Sequence, residues 1–147
     1  MFVMEKLNNI FFYHLDSAIR YYRQFAQNRL KELGFSITID QWLVLKVLNE
    51  DPDVTQSELA DKVLKDKASV TRILDILVED KYLKREQHAE SRRRYQLSIT
   101  SKGHQVLKDI QSTVVKNRKH ALRGVTDAEL EIAEKVLKKI TMNCKPE

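Results

Sequence analysis

The sequence predicts a mainly α chain carrying one small β-hairpin, and three observations lead there. Apolar residues recur at three- and four-residue spacing through most of the 147 positions. The period shifts to two only between residues 80 and 100. With 3 Gly and 2 Pro, the chain lacks the turn residues that a β-sandwich or small barrel needs. Apolar residues make up 42% and charged residues 32%, so a core can form. The length suits a single domain spanning 1–147.

Residues 4–33 read as one long helix. Leu7, Ile10, Phe11, Leu15, Ala18, Ile19, Tyr22, Phe25, Ala26, Arg29, Leu30 and Leu33 hold the helical spacing, and Gly34 is placed to end it. Such a rod is about 45 Å long at about 1.5 Å per residue. That exceeds what so small a core covers, so the helix is expected to find a partner outside its own subunit. Thr38 with Gln41, Thr55 with Glu58 and Thr126 with Glu129 match the capping box, in which a hydroxyl and a side chain three residues on satisfy free backbone N–H groups. Asp66 ahead of Ser69 reads as an N-cap without the return partner. These signals place helices at about 38–50, 55–63, 67–80 and 126–143, and another follows Thr100 at 101–122. Alternation through Tyr82–Glu86 and Tyr95–Ile99 gives two short antiparallel strands joined by the polar loop Gln87–Arg94.

The pair 55–63 and 67–80 carries the sharpest signal. Leu59, Ala60 and Val63 turn inward from the first helix, and Val70, Ile73, Leu74 and Leu77 from the second, with Leu64-Lys65 between. Two short helices joined in this way form a helix-turn-helix, whose second helix can enter a major groove. With the apolar face buried, Lys67, Ala68, Ser69, Thr71 and Arg72 remain around the start of the second helix. Small, hydroxylated and basic side chains suit base edges and phosphates. Thr55 and Gln56, at the start of the first helix, join that contact set. Arg72 is the candidate for a bidentate contact to guanine, and Lys67 for phosphate.

Charge points the same way. The net charge is +5, with a pI near 9.3. Residues 81–102 contain seven Lys or Arg against two Glu, so this window holds the whole excess. Arg92, Arg93 and Arg94 are adjacent and repel one another unless an anion is near. A helix-turn-helix followed by a basic hairpin is a winged helix, and an Arg at such a tip can enter a narrow minor groove. The predicted architecture is therefore a winged helix-turn-helix lobe at about 37–100, with long N- and C-terminal dimerisation helices at about 4–33 and 101–143. The partners expected are double-stranded DNA and a second copy of the chain. A helical dimer that binds protein through this lobe is the competing reading. It fits less well, because protein interfaces deplete Lys at their centres.

The stretch Leu59-Ala60-Asp61-Lys62-Val63 through Ser69-Val70-Thr71-Arg72-Ile73-Leu74-Asp75-Ile76-Leu77 resembles the helix-turn-helix of the multiple antibiotic resistance regulator (MarR) family. Arg92-Arg93 through Leu97-Ser98-Ile99-Thr100 resembles the second half of that family's wing. The resemblance extends over the whole chain. It implies a bacterial, cytoplasmic homodimer that binds a pseudo-palindromic operator, usually as a repressor released by a small molecule or an oxidant. Three positions depart from the family pattern: Ser91 stands where an Asp commonly orients the wing arginines, and Lys81 and Leu64 stand where Gly is common.

In that family the effector cleft lies where the first two helices and the fifth meet the DNA-binding lobe. Tyr13, Tyr21, Tyr22, Phe25 and Trp42 make this region aromatic, so an apolar or phenolic effector is expected there, with Tyr13, His14 or Trp42 supplying polar contacts. The peroxide-sensing branch uses a Cys in its first helix, whereas the single Cys144 here lies near the C-terminus and cannot form an internal disulfide. His14, His88, His104 and His120 are far apart and have no His or Glu partner four residues on, so no metal site is expected. No Gly-rich phosphate loop, nucleophile elbow or cofactor motif is present, so neither catalysis nor a cofactor is expected. No apolar run approaches the ~18 residues of a membrane span, and the N-terminus lacks a secretory pattern.

Overall fold

The computed structural model describes residues 1–88 and 90–147, and the side chains of these except at 88 and 91–95. The order is a 3-10 turn at Leu7–Asn9, α1 (Phe11–Glu32), α2 (Ile39–Glu50), α3 (Gln56–Val63), α4 (Lys67–Glu79), β1 (Leu83–His88), β2 (Ser91–Ile99), α5 (Ser101–Ala121) and α6 (Asp127–Cys144). The chain divides into two compact units, Met1–Val115 and Lys116–Glu147. Among the described residues no helix is long and apolar enough to cross a membrane.

The core of the first unit follows from the apolar faces read in the sequence. Leu30 of α1, Val44, Leu45 and Leu48 of α2, Leu59 and Ala60 of α3, and Val70, Leu74 and Leu77 of α4 are buried together. Ile37, Tyr82, Leu83, Val106 and Ile110 complete the cluster. Val63 and Ile73 pack half-buried at its edge. The helix-turn-helix is thus held by burial of one face from each helix, which leaves the opposite face of α4 in solvent.

Helix ends show how local chemistry sets these elements. At Thr38 and Thr126 the capping box closes in both directions. Thr55 accepts from the Glu58 backbone N–H at 3.1 Å, the forward half of its box. At the other end, α1, α3 and α4 stop in the same way. The N–H groups of Phe35, Lys65 and Tyr82 reach back to the carbonyls of Leu30, Ala60 and Leu77, at 2.9–3.0 Å. This closure needs a left-handed residue one position earlier. Gly34 supplies it after α1 at φ 85°, but Leu64 and Lys81 supply it after α3 and α4 at φ 59° and 66°.

Left-handed backbone costs a non-glycine residue about 1–2 kcal/mol, partly offset by the greater unfolded-state freedom of glycine. Lys81→Gly is therefore expected to stabilise the protein by about 0.5–1 kcal/mol, read as a higher urea midpoint. A lower midpoint would show that the Lys81 side chain compensates its own backbone.

Two expectations are corrected. The predicted helix 4–33 begins only at Phe11, because the backbone at Ile10 is extended (φ −88°, ψ 115°) and breaks the helical run there. Upstream, Asn8 and Asn9 lie in the separate 3-10 turn, and the Asn8 carbonyl lies 2.6 Å from His14 Nε2. The 22-residue helix spans about 33 Å rather than 45. The predicted loop Gln87–Arg94 is also too long. Gln87 and His88 continue β1, and Ser91–Arg94 begin β2. The ladder pairs Leu83 with Ile99 through Gln87 with Tyr95, then shifts register so that His88 pairs with Ser91. Alternation marks a strand only where one face is buried. A ribbon running out into solvent keeps its backbone ladder without it.

The base of the ribbon is fastened to its neighbours. The Thr100 N–H donates to the Tyr82 carbonyl at 3.1 Å, and the Thr100 hydroxyl lies 2.7 Å from the Lys81 carbonyl. The same hydroxyl accepts from Gly103 N–H at the start of α5, at 3.1 Å. Lys102 Nζ donates to the Asp80 carbonyl at 2.7 Å and sits 4.5 Å from the centre of the Tyr82 ring.

Much apolar surface stays open. Phe2, Val3, Met4, Leu7, Phe11, Phe12 and Ile19 are exposed at the N-terminal end, and only Ala26 and Leu30 of α1 are buried. In the second unit no residue of α6 is buried, and Ile132, Val136, Leu137 and Met142 are exposed.

Candidate nucleic-acid interface

The solvent face of α4 is organised by its N-cap. Asp66 accepts the Ser69 N–H at 2.7 Å through one carboxylate oxygen and the Ser69 hydroxyl at 3.0 Å through the other. The Ser69 hydroxyl thus meets the Asp66 side chain rather than its backbone N–H, so the cap is an N-cap without the return bond of a capping box, as the sequence predicts. These bonds, the backbone one foremost, hold the Asp66 carboxyl below the usual carboxylate range, with help from the Arg72 charge. Arg72 in turn donates through Nη2 to Ser69 Oγ at 3.2 Å. Asp66, Ser69 and Arg72 form a short chain that orients one guanidinium and leaves its other N–H donors free for a ligand.

Thr71 behaves differently. Its hydroxyl donates back to the Lys67 carbonyl at 2.9 Å and accepts from Gln56 Nε2 at 2.5 Å. Its O–H is thus spent within the protein. What it offers outward is a methyl group and a remaining lone pair. The Gln56 amide ties the start of α3 to the first turns of α4, and the Thr55 hydroxyl is occupied by its cap. Lys67, Ala68, Thr71 and Arg72 are exposed, and Ser69 is half-buried.

Farther along α4, Asp75 pairs with Arg85 of β1. This contact links the helix to the ribbon and was not legible in the sequence, where the two residues lie ten apart with no shared periodicity. The backbone of Arg92, Arg93 and Arg94 belongs to β2, and their side chains lie outside the described residues.

The three effector-site candidates are not brought together. Tyr13 and His14 are exposed neighbours on the first turn of α1, their rings 5.7 Å apart. Trp42 is half-buried against the core on α2. Among the described residues it shares no hydrogen bond or ring contact with either.

Comparison with known proteins fits this geometry. The family model described as MarR family matches residues 37–95, a span that runs from the N-terminal side of α2 into β2. A MarR/EmrR family transcriptional regulator from Acinetobacter sp. ADP1 has a similar structure, with a TM-score of 0.84 at 21% identity over 95% of this chain and 97% of that one. BpsR of Bordetella bronchiseptica, whose DNA binding is regulated by 6-hydroxynicotinic acid, gives 0.85 at 16% identity over 95% and 98%. MepR of S. aureus, solved as a DNA complex, gives 0.79 at 19% over 92% and 97%. At these identities the solved structures speak for the fold, and the family model speaks for the segment it matches. Residues 37–95 of this chain match the MarR family model, and the chain has the winged-helix fold of these solved structures.

Proposed function

We propose that the protein is a homodimeric, sequence-specific DNA-binding transcriptional regulator, not an enzyme, and acts in the bacterial cytoplasm. The observation that carries this reading is the solvent face of α4, where the Asp66–Ser69 cap presents Arg72 beside exposed Lys67 and Ala68. A small, polar and cationic helix face on a winged-helix domain suits the edges of bases in a major groove. Alongside it the β1–β2 ribbon carries Arg92, Arg93 and Arg94 toward the flanking minor groove. The exposed apolar residues at the N-terminal end, and separately those of α6, supply surface for a second copy. A two-fold dimer would set the recognition helices about 34–36 Å apart on an inverted-repeat operator.

The regulator is proposed to act as a repressor relieved by a small apolar or phenolic effector near Tyr13, His14 and Trp42. Such a ligand works by favouring a separation of the two lobes that no longer fits the operator.

Titration of the purified protein with random duplex at low ionic strength, with sedimentation at the same concentration, tests the reading. Binding by a dimer supports it. No binding, or a lone subunit, contradicts it and leaves a protein-interaction module. Replacing both Arg92 and Arg93 with Ala is expected to lower affinity for every sequence. It should also flatten the log–log salt dependence by about 0.9 for each phosphate that is no longer neutralised. An unaltered slope would make the ribbon a passive element.

A further inference from the structure

The half-buried charges under the helix-turn-helix carry a role beyond simple surface pairing. Asp40 lies in the first turn of α2, where the helix N-terminus favours a negative charge. One of its carboxylate oxygens pairs with Arg23 of α1. The other accepts from Lys65 Nζ at 3.1 Å. Gln27, one turn along α1 from Arg23, accepts the Ile39 N–H at 3.0 Å, so this face of α1 is clasped to the start of α2 twice.

Lys65 is no ordinary surface lysine. It follows the left-handed Leu64, its N–H closes α3 on the Ala60 carbonyl at 3.0 Å, and the next residue is Asp66, the N-cap of α4. An unbroken series of contacts and bonds therefore runs from Arg23 through Asp40 and Lys65 to Asp66, Ser69 and Arg72. Two cations share one carboxylate, and without its charge they would repel each other at the point where the connector turns into α4.

We propose that Asp40 is a positioning residue, holding the α3–α4 connector against α1 so that α4 presents Ser69 and Arg72 in a fixed direction. This rests on the DNA-reading proposal above and adds a route by which movement of α1 reaches the reading face. A strained hinge next to the cap makes the connector the element whose direction such a contact can bias.

The test uses the full-length protein and two duplexes, one selected by the protein from a random pool and one random. Asp40→Asn is expected to reduce the ratio of selected to random affinity by about three- to thirty-fold. Random-duplex affinity and its salt slope should stay as in the unmutated protein, which a general loss of fold would not allow. Amide exchange at Lys65 and Ser69 should quicken. Arg23→Gln, on a helix outside the reading face, should act in the same direction. The double variant should lose less than the two single losses combined, because both interrupt one series. Asp40→Glu should recover part of the ratio. If the unmutated protein fails to distinguish the duplexes, the DNA-reading proposal falls and takes this one with it. If it discriminates and Asp40→Asn discriminates equally well, or loses random binding in parallel, only the positioning role is overturned.

Discussion

Gly103→Ala is expected to destabilise the protein by about 1–3 kcal/mol, although alanine is the better helix former. Gly103 sits in the first turn of α5 where that helix crosses the base of the ribbon. A Cβ there would lie 2.4 Å from the Tyr82 carbonyl oxygen and 2.6 Å from Ile99 Cγ2. The carbonyl cannot step aside freely, because Thr100 bonds to it through its N–H at 3.1 Å. Helix propensity favours the substitution by about 1 kcal/mol, whereas overlap with a pinned backbone atom costs more, so the steric term wins. Denaturant unfolding of Gly103→Ala checks this. A midpoint above that of the unmutated protein would mean propensity dominates and the junction is loosely packed.

Arg72→Ala is expected to weaken binding to the selected DNA by about 1–3 kcal/mol and to relax the preference at one base pair. Ser69 uses one guanidinium N–H and fixes the group near the start of α4, while the remaining donors keep the fork that matches guanine. Arg72→Lys separates reading from charge. A lysine preserves phosphate attraction but not the planar fork, so it should restore random-duplex affinity and leave the base preference relaxed. Full discrimination by either variant would remove Arg72 from the base-reading set.

Much of this fold was legible because its signals are local. The Thr38, Thr55 and Thr126 caps each occupy four consecutive residues, and the inward residues of α3 and α4 repeat at helical spacing. Resemblance marked Leu64 and Lys81 as positions that favour glycine, and both are left-handed. What escaped the sequence involves contacts without a period. The late start of α1 turns on the 3-10 turn at Leu7–Asn9. The long ribbon is held by its ladder rather than by a buried face. The Asp75–Arg85 and Asp40–Lys65 pairs join residues from different elements, and no spacing rule connects them.

The candidate site divides in the same way. Lys67, Ala68 and Arg72 could be found because an amphipathic helix must expose the face opposite its core. The bond from Gln56 to the Thr71 hydroxyl could not, because it joins two helices across fifteen residues. The orienting role of Asp66 lay half in view: the cap was legible, but its link through the Ser69 hydroxyl to Arg72 required side-chain positions.

Two copies of this winged helix are proposed to read duplex DNA as a symmetric pair. Selection from a random duplex pool, followed by sequencing of the retained fragments, tests it most directly. The expected result is enrichment of an inverted repeat whose half-sites are centred about 10–10.5 base pairs, or a multiple, apart. A pool that stays random, or one enriched in a single unrepeated site, would contradict it.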